Sequence, residues 1–324
     1  MSGDPRMSVV LVTDRYETIR GVVQRLARQT VADQIELVIT APSGAGVEPD
    51  PADVAPLHGH RSVEIDDIIP LWRSRAAGMR AATAPVITVG ETHALPRAEW
   101  AETVLAAFDA GRSVVVPGIA NANPDGAISW SGLLSDYGRW SRALPAREVG
   151  PAPAHNTSFA RDFIEGLGDR LDELHSPGFD VGGAVRDQGR AVWHEPRAVL
   201  YHINVSRIPS WWRERYLHAR VMATRRARPW SGARRLVYIC GSPLIVPLVL
   251  RRIWPGYRAT RAAEAMPRMT VGCLAVGAVF MAIGEVMGLV FGATDAHVRG
   301  ANEMEIHKLR YTRHGVRGLA PDDV

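Results

Sequence analysis

Three residues of this 324-residue chain could bind one divalent metal ion. Glu91 and His93 are separated by one residue and follow a short apolar run, Val86–Val89, typical of a buried strand. Alternate side chains of an extended segment point the same way, so the carboxylate and the imidazole can converge on one cation. Together they suit Mn²⁺ or a similar divalent ion such as Mg²⁺, with positions left open for phosphate oxygens. The pair alone is also common in surface turns, so the site needs a third ligand.

His202 is the candidate third ligand. It lies in a strand-like stretch, residues 198–204 (AVLYHIN), far along the chain from His93. A ligand from a distant strand would complete a three-residue site that keeps a position open. The alternative is a buried histidine whose ring nitrogens are satisfied by hydrogen bonds within the core.

The elements that would position these ligands alternate along the first 205 residues. Strands are predicted at residues 7–13, 35–40, 86–89 and 114–117, and helices at residues 18–29, 74–84 and 100–110. Such alternation predicts an α/β fold of the Rossmann-like kind with a mostly parallel sheet. Ligands bind such sheets at the carboxyl ends of the strands. The informative residues therefore follow each run, at positions 13–15, 41–43 and 90–93.

These segments, in this order, resemble the family 2 glycosyltransferases of the GT-A fold. Residues 7–30 (MSVVLVTDRYETIRGVVQRLARQT) are similar to the family's first strand, nucleotide loop and first helix. Residues 74–89 (SRAAGMRAATAPVITV) are similar to its Arg–Asn–Ala–Gly helix and the strand after it. Residues 90–108 (GETHALPRAEWAETVLAAF) look like the stretch that holds the metal motif. The resemblance covers residues 7–205.

What the resemblance implies is an inverting transfer of a sugar from a UDP- or GDP-sugar, with a divalent metal. The metal and an arginine would neutralise charge that develops on the departing diphosphate. Some GT-A enzymes use Asp-x-His and a later histidine as ligands, and Glu91, His93 and His202 look like that variant of the usual Asp-x-Asp. The residues implied to line the nucleotide pocket are Thr13, Asp14, Arg15, Glu17, Ser43 and Arg75.

Two further motifs depart from the family's pattern. The second strand usually ends in Asp-Asp-Gly-Ser, where an acid binds the base or ribose, but here it ends in residues 40–43 (TAPS), which leaves the nucleotide open. The stretch FDVGGAVRDQG resembles the Glu-Asp…Arg…Gly segment and places Asp180 at the aspartate. This carboxylate would take the proton from an acceptor hydroxyl. An exposed loop acid is the alternative, and Asp172 and Glu173 are nearby substitutes.

Positive charge is concentrated in residues 207–268. This block holds fourteen arginines and two acids, a net charge of +12, so the rest of the chain sums to −8 against a total of +4. Four tryptophans lie within this block, and indole side chains favour the membrane interface. With apolar stretches beside the block, we expect an anionic membrane as the partner and no nucleic acid. Stacking of the Arg and Trp side chains on single-stranded nucleic acid is the alternative.

Residues 270–293 form an apolar stretch with one charge, Glu285. About 20 apolar residues span a bilayer as a helix, so a transmembrane or membrane-inserted helix is predicted, with a buried core helix as the alternative. Gly284, Gly288 and Gly292 would let another helix approach closely, which permits a homo-oligomer through this helix. A shorter stretch, residues 236–250, is broken by two prolines and fits a re-entrant or interfacial segment.

The predicted organisation has four parts: a GT-A domain (1–205), an Arg/Trp-rich interfacial region (206–268), a membrane helix (269–293) and a tail (294–324). The tail is expected to be solvated, with a short amphipathic helix as the alternative. The positive-inside rule places the catalytic domain on the cytoplasmic face of the inner or plasma membrane. A lipid-linked acceptor is then expected, with a small-molecule acceptor open, and the resemblance places His155 and Asn156 on the acceptor side.

Two other functions fit parts of the sequence. A glycosyltransferase-like protein that has lost catalysis and serves as a membrane scaffold would also carry altered motifs. A nucleotidyltransferase shares the sheet topology but usually has a Gly-rich loop after the first strand, and VTDRYET contains no glycine. Cys240 and Cys273 lie in apolar runs without metal-ligand spacing, so neither a disulfide scaffold nor a cysteine zinc site is expected.

Overall fold

A computed structural model of the chain describes residues 3–313. The strands of this part are β1 (Met7–Val12), β2 (Ile35–Pro42), β3 (Gly59–Ile65), β4 (Val86–Val89), β5 (Ala94–Pro96), β6 (Val114–Asn121), β7 (Arg147–Val149), β8 (Ser158–Ala160) and β9 (Val192–His202). The helices are α1 (Tyr16–Leu26), α2 (Pro51–Val54), α3 (Leu71–Ala81), α4 (Trp100–Asp109), α5 (Ala127–Tyr137), α6 (Arg161–Glu165), α7 (Val181–Asp187), α8 (Ile208–Arg226), α9 (Gly232–Cys240), α10 (Ile245–Ala263), α11 (Thr270–Phe291) and α12 (Asp295–Ile306).

The strands form one sheet in the order β3-β2-β1-β4-β8-β6-β9-β5, with β7 paired to β9. This confirms the α/β class but corrects the expectation of a mostly parallel sheet. The first four strands are parallel, whereas β8 is antiparallel to both β4 and β6, and β5 and β7 are antiparallel to β9. Four of the eight strand pairings are thus antiparallel and the sheet is mixed, because the short strands β5, β7 and β8 pair with strands that are distant in the sequence.

The predicted strands and helices of the first half are present. β1 and β4 are buried along their whole length, as continuous apolar runs of a sheet covered on both faces must be. In α1 the apolar side chains at helical spacing, Ile19, Val22, Val23 and Leu26, face the core. These elements confirm the periodicity argument, with boundaries that differ by a few residues.

The pairing of β5 with β9 brings distant parts of the chain together. Ala94 lies opposite His202 in the antiparallel register, and the Ile203 amide donates to the His93 carbonyl at 2.9 Å. β9 also runs along β6, with an irregularity in register after Pro117. Strand pairing therefore places position 202 beside positions 91–93.

The helix α11 packs along α8 with its glycines against that helix. A Cβ added at Gly284 would lie 2.4 Å from the Tyr216 carbonyl oxygen, and one at Gly288 would lie 2.4 Å from the Arg220 carbonyl oxygen. Close approach through small residues was predicted, but the partner is α8 of the same chain. That face is therefore not free for a second copy. The lone charge of the helix, Glu285, pairs with Arg226 on α8 at 2.7 Å.

By length and composition, α11 alone among the described helices could cross a bilayer unaided, although a buried helix of a soluble protein can pass the same test. Together, α9 and the helical segment Ser242–Ala263 would pass that test only as a pair bent by 53°. Ile253 and Tyr257 of α10 and Leu274 of α11 join the main hydrophobic core with the sheet domain. The C-terminal helices are thus packed onto the domain that precedes them.

The expectation of a solvated tail is wrong for the part that is described. Residues 295–313, which we call the C-terminal strap, form α12 and a short 3₁₀ turn, Lys308–Tyr311, and pack on the domain. Met304, Ile306 and Lys308 are buried. The backbone amide of Ser206 donates to the Tyr311 carbonyl at 3.2 Å. Apolar contacts of Met304 and Ile306 and ion pairs of Glu305 and Lys308 hold the strap on the domain. Residues 314–324 lie outside the described part.

The packing of α11 against α8 can be tested by adding one methyl group. Gly284→Ala should lower the midpoint of thermal unfolding, because its Cβ meets backbone and overpacking costs about 1–3 kcal/mol. Gly272→Ala on the same helix is the matched control, since its nearest neighbour is a flexible Met269 methyl at 4.0 Å. It should leave stability unchanged or raise it by up to about 1 kcal/mol through helix propensity. Equal effects of the two substitutions would contradict this packing.

Candidate metal centre

The three residues predicted to share a cation meet in the interior. Nε2 of His93 lies 3.1 Å from Nε2 of His202, and the Glu91 carboxylate lies 3.4 Å from His202 Nε2 and 3.8 Å from His93 Nε2. Atoms that ligate one ion at bond lengths near 2 Å are separated by about 3–3.5 Å. All three side chains are buried. The separation of these atoms therefore matches that of a common ligand set.

Hydrogen bonding fixes the tautomer of His202. Its Nδ1 lies 2.8 Å from Oδ1 of Asn204, whose own Nδ2 donates to Asn121 Oδ1 and to the His202 carbonyl, both at 3.0 Å. Because the amide nitrogen of Asn204 is committed, its oxygen is the acceptor, and Nδ1 of His202 carries the proton. The Nε2 atom that faces the site then offers a lone pair, the arrangement typical of metal-binding histidines.

The neighbouring hydroxyl orients His93 in the same way. Oγ1 of Thr92 donates to the Ile306 carbonyl at 2.7 Å and lies 3.2 Å from Nδ1 of His93, from which it can accept. Burial lowers the pKa of His93 to about 3, so the ring is neutral at pH 7. With both Nδ1 atoms protonated, the Nε2 lone pairs of the two rings and the Glu91 carboxylate face one another. That is the donor set of a cation site.

Glu91 is held by two side chains besides the histidines. The Tyr137 hydroxyl donates to its carboxylate at 3.0 and 3.1 Å, and Nδ2 of Asn156 donates at 2.6 Å. These donated hydrogen bonds favour the charged form of the Glu91 carboxyl. Asn156 adopts a left-handed backbone conformation (φ 59°), which asparagine tolerates better than most residues. Tyr137 was missed in the sequence, where no pattern links α5 to β4.

A second cluster shares Glu91. Ligand atoms of Glu91, His155 and Glu305 lie within 4.8 Å of one another. Nη1 of Arg75 donates to Nδ1 of His155 at 2.7 Å, and Nη2 of Arg75 donates to Glu305 at 3.3 Å. Burial, followed by the Arg75 charge, lowers the pKa of His155 to about 4, which keeps its ring an acceptor. Arg75 thus contacts His155 and Glu305, and Asn156 contacts Glu91; the predicted donor-side role of Arg75 and the acceptor-side roles of His155 and Asn156 stay predictions.

Of the residues predicted to line a nucleotide pocket, Thr13, Asp14, Arg15 and Ser43 follow β1 or β2, whereas Glu17 lies in the first turn of α1 and Arg75 in α3. Thr13 is buried and donates to the Arg15 carbonyl at 2.7 Å, while Asp14 pairs with His307 of the strap at 3.2 Å. Glu17 and Ser43 are exposed. Asp14 and Arg75 are therefore covered by the strap, whereas Arg15, Glu17 and Ser43 remain open to solvent.

Asp180 lies at the surface as the N-cap of α7. Its carboxylate accepts from the Gly183 amide at 2.9 Å and lies 3.7 Å from Arg186, with the side chain 73% exposed. The two nearby acids are in ion pairs: Asp172 with Arg80 at 2.7 Å and Glu173 with Arg225 at 2.5 Å. Its role as base stays a prediction, and capping gives Asp180 a second, structural reason to be an acid.

Buried charges of the strap complete the surroundings of the site. Nζ of Lys308 lies 3.3 Å from Glu305 and 3.2 Å from Glu214 of α8, and Glu214 also pairs with Arg215 at 3.0 Å. All four side chains are at least 86% shielded from solvent. Sequence reasoning missed the burial of Glu305 and Lys308, because a charged segment ordinarily indicates solvent exposure; the signal for this part of the chain was the cluster of charges in residues 303–310.

The metal site can be tested by substitution of one ligand. His202→Gln should reduce Mn²⁺ affinity by more than the roughly 10–100-fold that loss of an outer partner costs. His194→Gln is the matched control, because His194 is a buried histidine of the same strand whose Nδ1 contacts the Pro145 carbonyl. Calorimetric titration with MnCl₂ and paramagnetic resonance of bound Mn²⁺ would measure both. Equal affinities for wild type and His202→Gln would refute the site.

Comparisons with known proteins give structural matches of low sequence identity and low TM-score. No protein-family profile matches the sequence, and no curated protein matches it. Among solved structures, the mannosyltransferase PcManGT from Pyrobaculum calidifontis in complex with GDP-Man and Mn²⁺ is similar over 95% of this chain and 88% of its own, at 16% identity and a TM-score of 0.46. TarS from S. aureus in complex with UDP is similar over 93% and 88%, at 13% identity and a TM-score of 0.44.

Proposed function

We propose that the protein is a metal-dependent glycosyltransferase that moves a sugar from a UDP- or GDP-sugar to an acceptor. The observation that carries this is the meeting of Glu91, His93 and His202, with lone pairs oriented inward, at the carboxyl edge of the sheet. The family resemblance of residues 7–205 supports the substrate class. Mn²⁺ or Mg²⁺ held there would act as a Lewis acid on the diphosphate leaving group.

The chain's own residues would supply binding and proton transfer. Arg75, beside the ligands, would donate to the anionic diphosphate, an interaction strengthened by burial. In an inverting transfer, the acceptor oxygen bonds to the anomeric carbon while the bond to the diphosphate breaks, and the acceptor proton passes to a carboxylate. We assign that carboxylate to Asp180, whose exposure leaves it accessible to an acceptor.

The function and the base can be tested together because asparagine caps helices as well as aspartate does. Wild type should release UDP or GDP from a matching nucleotide-sugar in the presence of Mn²⁺ and acceptor. Asp180→Asn should keep the thermal midpoint but lower turnover about 10²–10⁴-fold, since it cannot accept the proton. Asp180→Ala should additionally lose about 1 kcal/mol of stability with the cap.

Full activity of Asp180→Asn would show that Asp180 is only a cap. Absence of binding to every UDP- and GDP-sugar with Mn²⁺ would favour the alternative function, an inactive glycosyltransferase-like membrane scaffold. One observation favours that alternative: the carboxyl edge of the sheet is filled by the strap, with a cavity of only about 10 Å³ beside Glu91 and Arg75.

We further propose that the protein binds an anionic membrane and takes a lipid-linked acceptor from it, on the cytoplasmic face. The support is an apolar face formed by exposed side chains of α9, the 3₁₀ turn Ser242–Leu244, α10 and α11. Its members are Leu236, Val237, Leu244, Leu248, Trp254, Val276, Val279, Ile283, Val290 and Phe291. Arginines of the same region, Arg234, Arg235, Arg251 and Arg252, would pair with lipid phosphates.

The contacts at both ends of α11 favour insertion into one leaflet over crossing. Met266 before the helix belongs to the main core, and Ile306 after it packs with Val12 and Leu71 of the sheet domain. A spanning helix would place its ends on opposite sides of a hydrocarbon layer about 30 Å thick. Its partner α8 also carries arginines such as Arg213 and Arg220, which a bilayer interior would exclude.

Vesicle flotation tests this surface. The full chain should float with phosphatidylglycerol vesicles more than with phosphatidylcholine vesicles, and salt should weaken the difference. Val279→Asp with Ile283→Asp should reduce flotation several-fold by charging the apolar face. Met222→Asp is the matched control, since Met222 is similarly exposed, at 43%, but lies on α8. A wild-type chain that stays in the soluble fraction with both vesicle types would contradict the proposal.

A further inference from the structure

The C-terminal strap lies over the carboxyl edge of β1 and β4, where the proposed sugar donor has to bind. The cavity left there is lined by residues of the sheet, of α3 and of the strap, among them Val12, Arg75, Glu91, Glu305 and Ile306. Its volume of about 10 Å³ holds one water molecule. Sites for small molecules measure about 300–1,000 Å³. A nucleotide-sugar therefore cannot enter while the strap is in place.

Apolar and polar contacts hold the strap on this edge. Ile306 is 4% exposed and packs with Val12, Ile68 and Leu71. The Leu71 amide donates to Oδ1 of Asn302 at 2.8 Å. The strap carbonyl of Ile306 accepts from Thr92, the residue between two metal ligands. The strap is thus bound to the same residues that frame the metal site.

One side chain of the strap, the Glu305 carboxylate, is an anion, as is the diphosphate of the proposed sugar donor. The Glu305 carboxylate lies 3.3 Å from Arg75 and 3.3 Å from Lys308, and its ligand atom is within 4.8 Å of those of Glu91 and His155. A diphosphate oxygen would need the same partners: a guanidinium and, beside Glu91, a bound cation. Glu305 therefore offers an anion of this chain at the place where an anionic ligand would bind.

We propose that the strap is an autoinhibitory segment and that Glu305 occupies the diphosphate subsite of the sugar donor. The inference rests on the proposed function. The strap and the donor diphosphate exclude each other, so binding of the metal–nucleotide displaces Glu305 from Arg75 and releases residues 302–312 from the edge of the sheet. The apparent affinity for nucleotide is reduced by the fraction of molecules in which the strap is closed.

The connection to α11 provides a point about which the strap can move. Only three residues separate Phe291 from Asp295, and the first of them, Gly292, has a positive φ of 71°. Glycine adopts that conformation without a steric cost. Near the start of the strap, the exposed pair Arg299–Asp67 is the kind of contact that contributes little to stability.

The experiment compares two carboxylates of α12 in the full-length protein. Glu305→Gln removes the charge at Arg75, whereas Glu303→Gln changes an acid whose side-chain partners within residues 3–313 are Arg310 and Tyr311 of the strap. Calorimetry with Mn²⁺–UDP and with Mn²⁺–GDP should give an apparent Kd about tenfold lower for Glu305→Gln than for wild type, within the usual range of such couplings. Glu303→Gln should match wild type.

Two further measurements complete the test. Ile306→Asp, which opens the strap by disrupting its apolar contact, should also tighten nucleotide binding. Hydrogen exchange of backbone amides 302–312 should rise in wild type when Mn²⁺–nucleotide is added. If nucleotide binds wild type, Glu305→Gln and Ile306→Asp with equal affinity, the strap does not compete, and the inference is overturned while the donor site stands. If no variant binds either nucleotide, the donor site itself is refuted, and the inference with it.

Discussion

A carboxylate and two imidazole nitrogens lie within 4 Å of one another in the buried interior of the protein. In the tautomers that carry the proton on Nδ1, the lone pairs of His93 and His202 and the Glu91 carboxylate repel one another unless a cation is present. The surrounding structure maintains this arrangement. Strand pairing sets the spacing, Asn204 and Thr92 orient the rings, and Tyr137 holds the acid. Hydrogen bonds of this kind, from neighbouring residues to the ligand side chains, fix the geometry of a metal site before the metal binds.

Charge alternation extends outward from that centre. Glu305 pairs with Arg75, Glu305 and Glu214 flank Lys308, and Arg215 joins Glu214 to Asp136. Buried ions persist only when each is paired, and removal of one member leaves its neighbour uncompensated. The strap carries two members of this network, so its docking is an electrostatic event as well as an apolar one. A diphosphate with its metal could replace the strap without disturbing the balance of charge around Arg75.

Several features could be predicted from sequence because the signal was local. The buried runs of β1 and β4, the amphipathic α1 and the apolar α11 follow from periodicity, and the glycine spacing of α11 predicted close helix contact. His202 could be proposed as a ligand from its strand-like surroundings. The antiparallel insertion of β8, the Tyr137 contact and the strap could not be predicted. Each depends on tertiary pairing across scores of residues, and a charged segment such as 303–310 ordinarily indicates solvent. Glu305 and Lys308 overturn that rule because each is the other's counter-ion.

The helix that carries the apolar face continues, after three residues, into the strap that fills the sheet edge. The Gly292 carbonyl between them accepts from Arg220 of α8. This bond attaches the residues between α11 and the strap to α8, the helix on which α11 packs. A displacement of α11 would therefore be transmitted directly to the strap that lies over Glu91 and Arg75. If the proposed membrane contact and the proposed donor site both hold, contact of α11 with lipid would be coupled to the opening of that site.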